Sequence, residues 1–306
     1  MLSSNDVGYD NKLNYRKCDV KNKKIKRRCI FTITAIIAVV LSFIVVFLGC
    51  WTISSYYKIG GVPVMNYHAV NDISHSSLVV TTSDFRDDMK YLANNGYTSI
   101  TMDELYNYLV HNESLPDKPV LITFDDGYTD NYTNAFPILK EYHMQATLFM
   151  IGDAIGTDRF LSAEQLKEMD ANGFHIEAHT YSHKRLTNLD DMTLQADLAK
   201  SRTVLESLLQ RPIRYLAYPQ GFNNELVQQR TKDAGYLMAF TVAPGTVKPG
   251  DNLFALNRLS IFEGLDHWWI LRLRMHVPEI IRVTWHLRDI LKDNGFVFLS
   301  QLVPLF

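Results

Sequence analysis

The sequence predicts an α/β domain, closed most simply as a regular or incomplete α/β barrel and carried behind one N-terminal transmembrane helix. Three observations predict it. Apolar runs of strand length alternate with helical stretches along most of the chain. A helix-to-strand phrase recurs four times, as Asn95-Gly96-Tyr97, Asn172-Gly173-Phe174, Ala234-Gly235-Tyr236 and Asn294-Gly295-Phe296; in each, the glycine suits the left-handed position that ends a helix and the aromatic opens the next apolar run. Near the N-terminus, the 22 residues from Cys29 to Cys50 carry no charge.

In chain order, residues 1–28 form a basic tail, with nine Lys and Arg between Lys12 and Arg28. The uncharged stretch 29–50 would make ~33 Å of helix, enough to cross a bilayer. It is too long for the apolar core of a cleaved signal peptide, and its basic head is too extended, so it reads as an uncleaved signal anchor. Gly49-Cys50 fits a lipoprotein cleavage site poorly, because bulky Phe47 and Leu48 precede it. Basic residues on one flank place the tail in the cytoplasm and the rest outside, in the cell membrane with a single pass. A tether, 51–61, leads to an extracellular domain, 62–306. All three cysteines (Cys18, Cys29, Cys50) precede that domain, so it holds no disulfide. Of the 306 residues, 47% are hydrophobic and 21% charged, which supplies a full-sized core and excludes a disordered chain. The balance of 31 basic against 33 acidic residues argues for no nucleic-acid partner.

Within the domain, strands are expected near 62–67, 97–100, 119–124, 146–151, 174–178, 214–218, 237–241, 258–262 and 296–299. A helix is expected from Ser83 to about Asn94. Thr101-Met102-Asp103-Glu104 and Ser162-Ala163-Glu164-Gln165 read as capping boxes that start two more. The segment 264–293 mixes Trp268, Trp269 and Trp285 with arginines, histidines and apolar residues. That composition suits either an interfacial amphipathic helix beside a membrane or, as the favoured reading, a barrel helix with snorkelling arginines.

The chemistry gathers where strands end, as it does at the C-terminal rim of α/β barrels. The run Val120-Leu121-Ile122 leads into Thr123-Phe124-Asp125-Asp126-Gly127-Tyr128. Adjacent carboxylates repel, a cost that persists only if a cation or a proton is shared between them. His179-Thr180-Tyr181-Ser182-His183 ends another strand, and histidines four apart can converge on one metal from a helical turn or a tight loop. Two imidazoles and one carboxylate make three ligands, leaving positions open for water and substrate and one carboxylate spare as a base. His68 ends the first strand and Tyr218-Pro219 a third, while His75, His111, His143 and His175 stand without such company.

These stretches, with Leu216-Ala217-Tyr218-Pro219-Gln220-Gly221, resemble the successive motifs of the polysaccharide deacetylases, carbohydrate esterase family 4. The opening Val62-Pro63-Val64-Met65-Asn66-Tyr67-His68 is similar to that of the branch acting on poly-N-acetylglucosamine, and the likeness runs from about Gly61 to Phe262. The resemblance implies a distorted (β/α) barrel and a divalent metal held by Asp126, His179 and His183. Zinc is the first choice of metal, with cobalt, nickel or iron as alternatives. It further implies Asp125 as general base and hydrolysis of N-acetyl groups, with the oxyanion held by the metal and the Tyr218-Pro219-Gln220 segment, through a backbone N–H near Gln220. Two positions depart from the pattern. Ala217 stands where the wider family has an arginine that orients the base, with Arg214 three residues away. No late histidine stands near Leu256-Asn257-Arg258-Leu259-Ser260-Ile261, which makes His68 the candidate acid.

The expected function is therefore membrane-anchored, metal-dependent N-deacetylation of an extracellular N-acetylglucosamine-containing polysaccharide. Two other classes share the same residues. Two histidines and a carboxylate also form the facial triad of non-haem Fe(II) oxygenases, which normally sits in a double-stranded β-helix. A catalytically silent polysaccharide-binding module would not need Asp125 beside three ligands.

Overall fold

A computed structural model describes residues 61–262 apart from His75 and Ser77, most of 271–297, and Leu41 and Val45 of the N-terminal part. The chain divides into two units, Met1–Lys58 and Ile59–Phe306. The tail 1–28, the tether 51–61 except Gly61, and the anchor 29–50 except Leu41 and Val45, both helical, lie outside the described residues. Among the described residues no helix is long and apolar enough to cross a membrane.

The second unit is a curled parallel sheet wrapped by helices, consistent with a distorted (β/α) barrel. Its strands are β1 (Val64–Tyr67), β4 (Thr98–Ser99), β5 (Pro119–Asp126), β6 (Ala146–Met150), β7 (Phe174–Ala178), β8 (Tyr215–Ala217), β9 (Met238–Phe240) and β10 (Leu259–Ser260). They pair in the order β10-β1-β5-β6-β7-β8-β9, with β4 against the start of β5. The two ends of this path approach each other through residues 253–258, which run beside β9 (Ala239 N–H to Leu253 O, 2.8 Å; Thr241 N–H to Leu256 O, 2.8 Å) and continue into β10.

Successive strand residues face opposite sides of a sheet, and here the two sides build two cores. Met65, Tyr67, Ile122, Phe124, Leu148 and Ile176 face the outer helices. Val64, Leu121, Phe149, Ala217 and Phe240 face inward, with the Phe149 and Phe240 ring centroids 5.7 Å apart. Each fully buried Val, Leu, Ile, Met or Phe among them contributes about 1.5–3 kcal/mol. The outer layer includes α1 (Thr82–Asn94), capped by Thr81. The inner layer includes Met102, Leu105 and Leu109 of α2 (Met102–His111). Both predicted capping boxes form, Thr101 with Glu104 and Ser162 with Gln165. All four repeated glycines are left-handed, Gly96 at φ 73°, Gly173 at 87°, Gly235 at 85° and Gly295 at 80°.

Eight of the nine expected strands therefore stand where the phrases put them. The ninth, 296–299, is corrected in its described half: Gly295 does end a helix, α7 (Pro278–Asp293), but Phe296 N–H folds back to Leu291 O, Val297 is helical, and both side chains are exposed, with no strand paired to them among the described residues; 298 and 299 lie outside those residues. A short parallel pair, β2 (Ala69–Val70) with β3 (Val79–Val80), was not expected. In the segment 264–293, Leu271, Arg274 and Ile281 are buried, Leu271 in the outer core, and the Arg274 guanidinium lies 5.0 Å over the Phe262 ring. That packing agrees with a helix of the domain.

Candidate active site

Asp125 and Asp126 close β5, and their adjacency on a strand separates them. Asp125 continues the inward alternation of Leu121 and Thr123, while Asp126 leaves it with φ 73° and Gly127 follows at 90°. A side chain at Gly127 would meet Met150 Sδ at 2.1 Å, so only glycine lets the chain turn here.

His179 directly follows β7. Its Nδ1 lies 2.8 Å from Ala217 O, an atom that can only accept, so Nδ1 carries the proton. In the neutral ring the Nε2 lone pair then faces Asp126 Oδ1 at 3.5 Å, and His183 Nε2 faces the same oxygen at 3.3 Å. Two acceptors held face to face need a cation or a proton between them. All donor atoms of the trio lie within 4.8 Å of one another. Ligand atoms about 2.1 Å from a tetrahedral ion are about 3.4 Å apart, so this donor set fits a divalent metal.

The His179–His183 link is a tight loop rather than a helical turn, with Thr180 at φ 64° and His183 at 54°. It is stapled from outside by Asp197 of α5 (Asp191–Leu209), whose carboxylate accepts from Tyr181 N–H at 2.8 Å, Ser182 N–H at 3.2 Å and the Ser182 hydroxyl. Asp197 is nearly buried and belongs to no motif; its sequence position, mid-helix between Ala196 and Leu198, offered no signal.

The sequence reading also missed Arg258. It is fully buried and grips Asp125 with both terminal nitrogens, Nη1 to Oδ1 at 2.7 Å and Nη2 to Oδ2 at 2.6 Å, while Nε donates to Thr241 O at 2.8 Å. Arg258 is the residue that orients the candidate base. Arg214 is not: it precedes β8, at the end of that strand away from the rim, its side chain is 46% exposed and it meets Asp103 at 3.4 Å.

Burial would push the Asp125 carboxyl up, but the Arg258 guanidinium and nearby His179 hold it below the usual carboxylate range. Asp126 is likewise held well below that range, its burial outweighed by the adjacent His179 and His183 rings, which act on it as donors only when doubly protonated. His68 follows Tyr67, which pairs with Phe124, so it stands level with Asp125 on the neighbouring strand; burial lowers its pKa against the pull of Asp125 and Asp126, so the ring is neutral at neutral pH. Its Nδ1 is buried with no hydrogen-bond partner among the described residues, and its carbonyl accepts from Asn131 Nδ2 at 2.8 Å. Burial and the Asp126 charge push the Tyr128 hydroxyl up to about 12.

Asp125, Asp126, His68, His179 and His183 are thus brought together. The Tyr218 side chain is not with them: it is fully buried in the outer core and its hydroxyl donates to Phe254 O at 3.1 Å, so only its backbone borders the rim. Pro219 is buried, and Gln220 is exposed in the left-handed region at φ 59°. Of the other histidines, His111 and His143 are exposed and His175 is half-buried, all away from this cluster, and His75 lies outside the described residues.

A polysaccharide deacetylase family profile matches residues 112–239. The Bacillus subtilis (strain 168) protein YxkH, a polysaccharide deacetylase by name, is 38% identical over 204 residues, covering 67% of this chain and 72% of its own. The poly-beta-1,6-N-acetyl-D-glucosamine N-deacetylase of Staphylococcus aureus is 28% identical over 245 residues, covering 70% and 84%. Among solved structures, Streptococcus pyogenes deacetylase PplD in complex with acetate superposes with a TM-score of 0.66 at 28% identity, over 69% of this chain and 96% of that one. IcaB from Ammonifex degensii gives 0.63 at 28%, over 71% and 97%.

Proposed function

Because this chain belongs to the polysaccharide deacetylase family, we propose that it removes N-acetyl groups, as acetate, from an extracellular polysaccharide containing N-acetylglucosamine, using a divalent metal held by Asp126, His179 and His183. The observation that carries the metal site is the pair of imidazole nitrogens aimed at one carboxylate oxygen at 3.5 and 3.3 Å, with His179 locked by Ala217 O in the tautomer that cannot donate to it.

When bound, a divalent cation, zinc first, polarises the acetyl carbonyl and makes water acidic enough to ionise near neutral pH. The chain's own groups do the rest. Asp125 accepts the proton of the attacking water, since Arg258 keeps it ionised and fixed while each oxygen retains a second lone pair. His68 is neutral at neutral pH, so the proton it gives the departing sugar nitrogen is one it first takes up, supplied by the attacking water through Asp125. At the opposite lip Pro219 has no N–H, and those of Tyr218 and Gly221 are spent on Phe240 O and Tyr218 O; the Gln220 N–H is the donor left for the developing oxyanion.

The S. aureus relative's name supports a β-1,6-linked N-acetylglucosamine polymer as substrate. The basic tail and uncharged stretch 29–50 support a single-pass anchor with the domain outside the cell. A triad on the rim of a parallel sheet disfavours the oxygenase class, and the gripped base disfavours a silent binding module. The test is metal analysis of the purified protein, followed by acetate release from N-acetylglucosamine oligomers. About one equivalent of metal with metal-dependent acetate release is expected. A metal-loaded protein that releases none from any N-acetylated glycan would overturn the proposal.

A further inference from the structure

Resting on that reading, we infer that Phe222, backed by Arg185, forms a stacking subsite for a sugar ring of the polymer next to the one that loses its acetyl group. Phe222 is 39% exposed at the rim. It follows Gln220 by two residues, and Arg185 follows the ligand His183 by two. The Arg185 guanidinium carbon lies 3.3 Å from the Phe222 ring centroid, so it covers one ring face and joins two rim loops at a single aromatic.

The presentation of that ring is built in. Gly221, at φ 74°, sits so close to the neighbouring chain that a Cβ there would meet Val242 N at 2.6 Å. Asn223 Nδ2 donates to Gly221 O at 3.0 Å, Gln228 Nε2 to Asn223 Oδ1 at 2.6 Å, and Asn252 Nδ2 to Gln228 Oε1 at 2.9 Å. This relay fixes the loop before any ligand arrives, which lowers the ordering cost of binding. An aromatic face kept open on a fixed loop beside a hydrolytic centre suits the apolar C–H face of a pyranose. Position decides which pyranose. The loop leaves β8, one strand from His179 on β7 and three from Asp126 on β5, so it lies roughly 5–14 Å from the ligands. That separation belongs to a neighbouring sugar rather than to the reacting one. Across the triad, the stacked Tyr128–Phe160 pair, with centroids 5.2 Å apart, offers a matching wall on the β5 side.

The test uses the full chain in detergent, loaded with zinc. For an N-acetylglucosamine pentamer, Phe222→Ala should raise KM about 3- to 12-fold with kcat within about twofold. Phe222→Trp should restore KM. Hydrolysis of 4-nitrophenyl acetate, which carries no sugar, should be unchanged in both variants, as should Tm. An unchanged pentamer KM in Phe222→Ala, or equal losses on pentamer and ester, overturns the subsite. If the wild type releases no acetate from any glycan, the deacetylase reading fails by itself. Equilibrium dialysis of the pentamer then decides the subsite: binding weakened by the same factor in Phe222→Ala supports it, and equal binding overturns it.

Discussion

Replacing Arg258 by Met removes a fully buried cation while keeping an unbranched side chain in its place. The partner, Asp125, is itself 2% exposed, so it has no water to fall back on. Breaking a buried ion pair from one side costs about 3–5 kcal/mol if the remaining charge stays. Asp125 escapes that cost by taking up a proton, and at 1.36 kcal/mol per tenfold change this moves the acidic limb of the pH–rate profile up by about 2–4 pH units. The sign of the stability effect reverses with it. In the wild type the depressed Asp125 pKa contributes stability that is present above the unfolded carboxylate value and is lost as pH falls through the folded one. In Arg258→Met the unpaired carboxyl instead favours the folded state when protonated, so stability falls as pH rises. The assays are kcat/KM for acetate release and denaturant unfolding, each between pH 4 and 9 on the order of every half unit. Arg258→Lys, which keeps one charge without the two-pronged grip, should fall between. Once Asp125 is Asn, adding Arg258→Met should cost little further activity, because the two act as one unit. An acidic limb within half a unit of wild type or so in a folded Arg258→Met protein would refute the assigned role.

Three further outcomes follow from the same geometry. Asp125→Asn should retain about one equivalent of metal while turnover falls by about two to four orders of magnitude, whereas Asp126→Asn, His179→Ala and His183→Ala should lose metal and activity together; the opposite pattern for the two aspartates would exchange their roles. Gly127→Ala should lower stability by about 1–3 kcal/mol, read as Tm, and weaken metal binding by displacing Asp126, and an unchanged Tm would show that Met150 gives way freely. His68→Gln should slow turnover with metal content and Tm preserved; parallel losses of folding and activity would make His68 a packing residue only.

What the sequence disclosed here and what it withheld divide along physical lines. Gly96, Gly173, Gly235 and Gly295 announce helix ends because left-handed backbone is a local demand that local residues answer. The metal trio was equally legible, since His179 and His183 lie in one loop and the two aspartates in one turn. Arg258 was not, because its significance depends on a partner 133 residues away and a lone arginine at the head of a two-residue strand carries no periodic signal. Asp197 is hidden for the same reason, as a helix residue whose acceptors face a loop. Tyr218 misled in the other direction: adjacency in a motif does not say which side of the sheet a side chain takes, and this one took the outer core. At 296–297 the local phrase ended the helix as it does elsewhere, but no strand among the described residues pairs with it, and a strand is made by its neighbour.

The place of Arg258 in the chain has a consequence for how the enzyme comes into being. A chain made from its N-terminus acquires His68, both aspartates, both histidines and seven of the eight main strands before residue 258 exists. Until then Asp125 faces the interior with no cation to hold it. The segment that brings Arg258 is also the one that spans from β9 to β1, through Thr241 N–H to Leu256 O and Ile261 N–H to Asn66 O. A nascent chain therefore carries its base unset until the last main strand arrives and arms it.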